Sequence, residues 1–251
     1  MRYFIRFSYN GTRYHGWQHQ PNAISVQETL TKAMSIVLNS TVELMGAGRT
    51  DTGVHAKTMY AHFDLDKPFD PQSIAHKLNS FLPNDIAVFE IILVQDSAHA
   101  RFDAKKRTYE YHMHTFKNVF QTELSWYNPQ QLDVDLMNQA ATILLQHTDF
   151  ECFSKVHTDV NTFDCKITIA NWTREHNNLI FTISADRFLR NMVRAIVGTL
   201  INVGMHKITL ADFEAIIKSK NRSEAGFSAP AHGLYLTEIV YSYFNDAVNP
   251  Q

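Results

Sequence analysis

Segments typical of β-strands and of amphipathic helices alternate along this chain of 251 residues, and the alternation occurs twice. Strands are predicted at 3–8, 40–45, 58–65, 87–93, 108–114 and 235–243, with a hairpin formed by 164–174 and 179–186. Helices are predicted at 26–38, 71–81, 133–145, 188–203 and 210–218. The pattern predicts an α+β fold with a boundary near residue 104. Since no Pro- or Gly-rich linker marks that boundary, we expect the two halves, 1–104 and 105–251, to pack as one body.

A glycine-rich run, residues 46–56, lies between two of the predicted strands and contains one carboxylate, Asp51. Glycine permits tight backbone geometry and close approach by a ligand. Arg49 lies two residues before Asp51, so in an extended segment both side chains share a face. A guanidinium at that distance favours the ionised carboxylate. The run therefore predicts an active-site loop.

Two other interpretations of the Asp51–Gly53 tripeptide compete with this one. Asp, Thr and Gly are common turn residues, so the tripeptide alone favours a structural turn. The same three residues also mark aspartic proteases, which need two carboxylates that share one proton. The sequence holds no second Asp-Thr-Gly or Asp-Ser-Gly, and Arg49 would keep Asp51 charged. These two facts argue against a protease.

Composition and charge limit the class of protein. Two cysteines, Cys152 and Cys165, form no close metal-binding pair and no disulfide framework, which is typical of a reducing compartment. The N-terminus does not resemble a signal peptide, and the apolar runs are too short to span a bilayer. We therefore expect a cytoplasmic protein. A net charge of −2 argues against a simple nucleic-acid binder.

Basic residues are nevertheless clustered locally, while acidic residues collect elsewhere. The clusters are Arg101, Lys105, Lys106 and Arg107; Arg187, Arg190 and Arg194; and Lys218, Lys220 and Arg222. Such clusters usually form a solvated face, and a phosphate-binding role needs separate support.

Histidines are numerous, 13 in all, but their spacing is weak support for a metal site. His112 and His114 share a predicted strand face, and His147 lies two residues from Asp149. No third ligand follows at a recognisable interval. We predict no metal.

The run 46–56 resembles the hallmark of the tRNA pseudouridine synthase A family, which usually has Ala where this chain has Thr52. Asn10 likewise replaces the more usual Asp of the family. Other family blocks follow in order: residues 9–12, 16–18, 20–21, 26–27, 82–86, 99–104 with Arg107, Tyr109 and Tyr111, 147–150, 188–194, Gly198, 203–204, 229–230 and 233–236. These blocks cover nearly the whole chain.

The resemblance implies an enzyme that converts uridine to pseudouridine at positions 38, 39 and 40 of the tRNA anticodon stem-loop. It implies no cofactor, a homodimer, and two similar subdomains whose antiparallel sheets join into one sheet with an active cleft between them. The carboxylate could attack C1′, attack the base, or abstract a sugar proton to give a glycal. The residues do not choose among these routes.

The resemblance also assigns roles to individual residues. Asp51 matches the catalytic carboxylate, and Tyr109 matches the tyrosine that stacks on the target uracil. Arg194 matches the arginine that pairs with the carboxylate, although a solvated helix residue is the plain alternative. Leu234 matches the wall of the base pocket, for which core packing is the alternative. Arg49 could fill the space left by the extruded base, because a paired uridine must leave its stack.

Two other functions remain open at this point. One is a non-catalytic RNA-binding module that has kept the fold and lost activity, against which Asp51, Tyr109 and Arg194 together argue. The other is a synthase of this family that acts on a different RNA.

Overall fold

The computed structural model describes residues 1–155 and 161–243, which form two compact units. The first unit contains residues 1–105 and 236–243, and the second contains 106–235. The strands are β1 (Arg2–Tyr9), β2 (Met45–Gly46), β3 (His55–Asp64), β4 (Ile86–Val94), β5 (Ala104–His114), β6 (Trp126–Tyr127), β7 (Ile167–Glu175), β8 (Asn178–Ala185) and β9 (Leu234–Tyr241). The helices are α1 (Val26–Leu38), α2 (Pro71–Phe81), α3 (Val134–Leu144), α4 (Met192–Gly204) and α5 (Leu210–Ser219).

The first unit is built on an antiparallel sheet with β1 at its centre. β1 pairs with β4 on one side and with β3 on the other, and β9 is the next neighbour of β3. The short strand β2 pairs with β3 in the register Met45↔His62 and Gly46↔Ala61. β1 has a nearly continuous buried run, typical of a strand covered on both faces.

Helices α1 and α2 begin and end where the sequence predicts. The Ser25 hydroxyl accepts a hydrogen bond from the Glu28 amide and caps α1. The Asp70 carboxylate caps α2 in the same way, and Pro71 occupies the first helical position, where its missing N–H costs nothing. α2 packs against β4 and against α1.

The second unit has an antiparallel sheet in the order β5-β8-β7, with β6 beside β5. β7 and β8 form the predicted hairpin, in which Glu175 pairs with Asn178 across a two-residue turn. His176 takes a positive φ of 53° in that turn. α3 packs on β7 and on α4, and eleven of the thirteen residues of α4 are buried. α4 is therefore the core helix of this unit.

Several predicted boundaries are wrong, among them the start of β5, which lies at Ala104 and not at 108. Two further errors have a clear physical reason. Residues 41–44 of the predicted strand 40–45 alternate between exposed and buried as a strand would, but their backbone is bonded to side chains of α1. The Val42 backbone amide donates to the Ser35 hydroxyl, and the Gln27 side-chain amide, through Nε2, donates to the Leu44 carbonyl. α4 begins at Met192, later than the predicted 188, because Asn191 adopts a left-handed conformation with φ 66°.

Both units combine antiparallel strands with helices, which confirms the predicted α+β class. Among the described residues, no helix is both long enough and apolar enough to cross a membrane.

Candidate active site

The predicted catalytic loop lies between β2 and β3, as expected, in the first unit. The Ala47 amide donates to the Tyr60 carbonyl at 2.8 Å, which ties the start of the loop to β3. The Val54 amide donates to the Asp51 carbonyl at 3.1 Å and closes a tight turn. Gly53 has a φ of 78° within that turn, a conformation that favours glycine. The turn fixes the backbone of the carboxylate-bearing residue.

An N-terminal segment, residues 9–17, packs against the loop. The Tyr9 and Thr50 hydroxyls lie 2.9 Å apart and share a hydrogen bond. Gly16 has a φ of 83°, and a Cβ there would lie 2.2 Å from the Thr50 carbonyl oxygen and 3.2 Å from the Asp51 carbonyl carbon. A side chain at position 16 would therefore displace the backbone of the loop.

Two further contacts hold the ends of the same loop. The Gly11 amide donates to Nδ1 of His55 at 3.0 Å, so this buried ring presents an unprotonated Nδ1. A Cβ on Gly46 would lie 2.4 Å from Nε1 of the buried Trp17. Gly48, by contrast, has open space where a Cβ would be. The loop is therefore packed at both ends and at Thr50, whereas Gly48 has room for a side chain.

Within this loop, Asp51 is half-buried and Arg49 is exposed. A half-buried carboxylate on a fixed turn can reach a ligand without rearrangement of the backbone. Asn10 keeps the capping role that its position suggests, because its side-chain oxygen accepts from the Thr12 amide at 3.1 Å and the Thr12 hydroxyl at 2.7 Å. The replacement of the usual aspartate thus preserves the local turn.

Tyr109 lies on β5 in the second unit, opposite Ile183 of β8. Its ring meets the Phe188 ring edge-on, with centroids 5.1 Å apart and planes at 90°. Next to it, the Thr108 and Ser184 hydroxyls share a hydrogen bond of 2.8 Å. Tyr109 is half-buried, so its ring is held by packing and still borders solvent.

Arg194 lies in the first turn of α4 and is bonded to a segment that we call the strap, residues 225–230. Its Nε donates to the Ala229 carbonyl at 2.7 Å. The strap packs closely on α4, because a Cβ on Gly198 would lie 1.8 Å from the Phe227 carbonyl oxygen. The orientation of Arg194 is therefore set by a backbone that is itself packed in place.

Leu234 is the buried first residue of β9 and is separated from the strap by the 3-10 helix Ala231–Gly233. The Tyr111 hydroxyl donates to the Pro230 carbonyl at 2.9 Å, and a Cβ on Gly233 would lie 2.7 Å from the Tyr111 ring. Tyr111 thus positions the segment that leads into Leu234.

The third basic cluster is engaged within the protein. Lys218 pairs with Glu214 and Lys220 pairs with Asp149, each at 2.6 Å. The Arg222 guanidinium donates to the Gly226 carbonyl in the strap at 3.0 Å. This cluster therefore offers less for phosphate contact than the sequence suggests.

The histidine pairs considered as metal ligands contact other groups. His112 contacts Glu110 at 2.8 Å, whereas His114 shares a 2.9 Å hydrogen bond with Ser125. His147 lies 3.8 Å from Glu214. Within residues 1–155 and 161–243, no group of three or more His, Cys, Asp or Glu could hold a metal ion.

Comparison with known proteins gives the family. The family model described as tRNA pseudouridine synthase matches residues 6–103 and 140–242. A Bacteroides fragilis protein named tRNA pseudouridine synthase A is 52% identical over 242 residues, or 96% of each chain. A protein of the same name from Parabacteroides distasonis is 50% identical with the same coverage. One from Thermoanaerobacter sp. is 40% identical and covers 94% of this chain and 98% of its own.

Four of the five predicted site residues, Asp51, Arg49, Arg194 and Leu234, fall within the matched segments, and Tyr109 lies between them. The resemblance seen in the sequence is confirmed over nearly the full length of the chain. The chain belongs to the tRNA pseudouridine synthase family, whose members are isomerases.

Proposed function

We propose that this chain converts uridine to pseudouridine at positions 38, 39 and 40 of the tRNA anticodon stem-loop, with Asp51 as the catalytic carboxylate. The observation that carries the proposal is the loop between β2 and β3, where one half-buried carboxylate lies on a turn braced by residues 9–17. Family membership supplies the reaction class.

The reaction breaks the bond between N1 of uracil and C1′ of the ribose, rotates the base and joins C5 to C1′. The proton on C5 is lost and N1 gains one, so no atom or electron is lost overall. An ionised Asp51 serves each of the three routes, because attack at C1′, attack on the base and proton abstraction all need a carboxylate with a free electron pair. A rigid turn favours all three routes equally.

The family resemblance adds four other residues to the proposed site: Arg49, on the catalytic loop in 1–104, and Tyr109, Arg194 and Leu234, in 105–251. Tyr109 stacks on the target uracil, and its edge-on packing against Phe188 supports a fixed ring position. Arg194 stabilises the negative charge of the Asp51 carboxylate, and Leu234 lines the pocket that holds the base. Arg49 is exposed, as a residue that enters an RNA stack must be.

Phosphate contact in this proposal comes from the basic clusters, as the family resemblance implies. In the third cluster, Lys218 and Lys220 are also paired with the carboxylates of Glu214 and Asp149. A cytoplasmic homodimer would present each cluster twice over one continuous surface, so that local positive charge would attract the RNA although each chain has a net charge of −2. Binding should then weaken steeply with salt, since each neutralised phosphate releases counterions. Sedimentation that shows only monomer, or a tRNA affinity that is flat between low and moderate salt, would contradict this part.

The test of the substrate is pseudouridine mapping on transcribed tRNA incubated with the purified protein. Substrates with cytidine at position 38, 39 or 40 are the matched controls, and each should lose product at the replaced position alone. Tight tRNA binding with no product would favour the RNA-binding module instead. Product at positions outside 38–40 would identify a family member with a different site.

A further inference from the structure

Asp85 lies just before β4, far along the chain from the catalytic loop, and its carboxylate accepts three hydrogen bonds. Nε and a terminal nitrogen of Arg13 donate at 2.8 and 2.5 Å, and the Tyr14 hydroxyl donates at 2.7 Å. The Asp85 carbonyl also accepts from the Asn10 amide at 2.9 Å. One residue thus fixes both ends of the 3-10 helix Gly11–Arg13.

The two partners of the Asp85 carboxylate differ in exposure. The Arg13 side chain is 69% exposed, whereas Tyr14 is buried and Asp85 is nearly so. An exposed ion pair contributes little, because water competes for both charges. Burial raises the pKa of the Tyr14 phenol, so the hydroxyl keeps its proton and remains a donor. The bond to Tyr14 is therefore the one that carries the restraint.

Tyr14 connects this bond to the catalytic turn. Its carbonyl accepts a hydrogen bond from the Gly53 amide at 3.3 Å, two residues after Asp51. On the same segment, a Cβ on Gly11 would lie 2.0 Å from the Val54 carbonyl oxygen, so the two backbones are in direct contact. A shift of Tyr14 would therefore move the turn that carries Asp51.

We propose that Asp85 is a positioning residue for the reaction, which holds the catalytic turn in place through Tyr14 and Gly53. The inference rests on the proposed function for the role of Asp51. Asp85 acts without touching substrate. It holds residues 9–17, which we call the brace; the brace holds the turn Asp51–Val54, and that turn holds the Asp51 carboxylate. Small displacements of a reacting group can cost about a hundredfold in rate.

The test combines single-turnover pseudouridine formation, tRNA affinity and amide hydrogen exchange at Gly53. Asp85→Ala should slow the single-turnover step by about ten- to a hundredfold and speed exchange at Gly53, with tRNA affinity within about threefold. Asp85→Asn should recover most of the rate, because its amide oxygen still accepts from Tyr14. Arg13→Ala is the matched control, and its rate should stay within about threefold.

Tyr14→Phe keeps the buried ring and removes the hydroxyl. It therefore tests the role of the bond between Tyr14 and Asp85 even if Asp85→Ala fails to fold. It should reproduce the slower reaction and the faster Gly53 exchange. Wild-type rate and exchange in Tyr14→Phe would overturn the proposal, as would an equal loss of rate in Arg13→Ala. Asp51→Asn, measured alongside, separates the two hypotheses: full activity in that variant refutes the catalytic assignment, whereas Gly53 exchange still reports on the brace.

Discussion

Arg194 and Ala229 are joined by a reciprocal pair of hydrogen bonds. Nε of Arg194 donates to the Ala229 carbonyl at 2.7 Å, and the Ala229 amide donates to the Arg194 carbonyl at 3.0 Å. The guanidinium is therefore bonded through Nε to the strap, and this bond fixes its orientation. A planar guanidinium held by one edge presents the other edge in a fixed direction.

The first prediction concerns the charge at Arg194. Arg194→Ala should slow the single-turnover reaction by about ten- to a hundredfold, because the positive charge that we propose stabilises the ionised Asp51 is lost. Affinity for tRNA should fall only modestly, and Arg194→Lys should recover part of the rate. Arg174→Ala, at an exposed position of β7 outside the three basic clusters, is the control, and its saturated rate should be unchanged. A normal rate with much weaker binding in Arg194→Ala would reassign the residue to phosphate contact.

The second prediction concerns the buried Thr199 of α4, whose hydroxyl connects the helix to the strap. It donates to the Ala195 carbonyl at 2.8 Å and accepts from the Gly226 amide at 2.9 Å. Thr199→Val should lower the free energy of unfolding by about 1–3 kcal/mol, since the Gly226 amide loses its acceptor. Urea denaturation measures this.

The matched control for Thr199→Val is Thr142→Val in α3. The Thr142 hydroxyl also bonds the carbonyl four residues back, that of Asn138, at 3.0 Å, but it lies on an exposed position. The control should change stability by less than about 0.5 kcal/mol. Equal effects of the two substitutions would show that the contact with Gly226 adds nothing.

The third prediction contrasts two glycines around the catalytic loop. Gly16→Ala places a Cβ 2.2 Å from the Thr50 carbonyl at a φ of 83°, so the loop must move. We expect a loss of about 1–3 kcal/mol in stability and a slower reaction. Gly48→Ala meets no atom within 4 Å and should fold with wild-type stability. Thermal unfolding and single-turnover rates measure both effects, and a Gly16→Ala enzyme with wild-type values would contradict the packing argument.

The fourth prediction concerns pH and the buried His62 of β3. Its Nδ1 accepts from the Ala100 amide at 3.2 Å, and its ring lies edge-on to that of His99, 4.5 Å away. Burial, with smaller contributions from the charges of His99 and Arg2, lowers the pKa of His62 to about 4. The folded protein therefore keeps this ring neutral at pH values where an unfolded histidine takes a proton.

The sign of the pH effect follows from this difference. Between about pH 6.5 and pH 4 the unfolded chain binds the extra proton, so the free energy of unfolding falls as the pH falls. At pH 5 the protonation of His62 in the unfolded chain should lower the free energy of unfolding by about 2 kcal/mol. His62→Gln should weaken the loss of stability between pH 7 and pH 5, whereas His15→Gln, at an exposed position, should not. Identical pH dependence in wild type and His62→Gln would contradict the assignment.

Much of the secondary structure could be predicted from the sequence, because local signals agree with the packing. The bounds of α1 and α2 follow from Ser25, Asp70 and Pro71, which fix where each helix starts. The hairpin β7–β8 follows from alternating residues around a polar turn. The start of α4 could not be predicted, because Phe188 and Leu189 continue the apolar pattern through a segment that Asn191 ends in a left-handed turn.

The candidate site was predicted only in part, for a similar reason. The loop of Asp51 has a local signature in its glycines, and that signature located it correctly between β2 and β3. Residues 9–17 are held by contacts of Tyr9 with Thr50 and of Tyr14 with Asp85, which join residues 41 and 71 positions apart. The family blocks include Tyr9 and Asp85 but not Tyr14, and they do not show which residues contact one another.

The central claim is that Asp51 carries the reaction, and single-turnover pseudouridine formation by Asp51→Asn tests it most directly. Asparagine keeps the shape of the side chain but cannot act as a nucleophile or a base, so the variant should fold, bind tRNA and form no product at positions 38–40. Asp64→Asn, a surface carboxylate paired with Arg2, is the control and should remain active. Substantial product from Asp51→Asn would contradict the account.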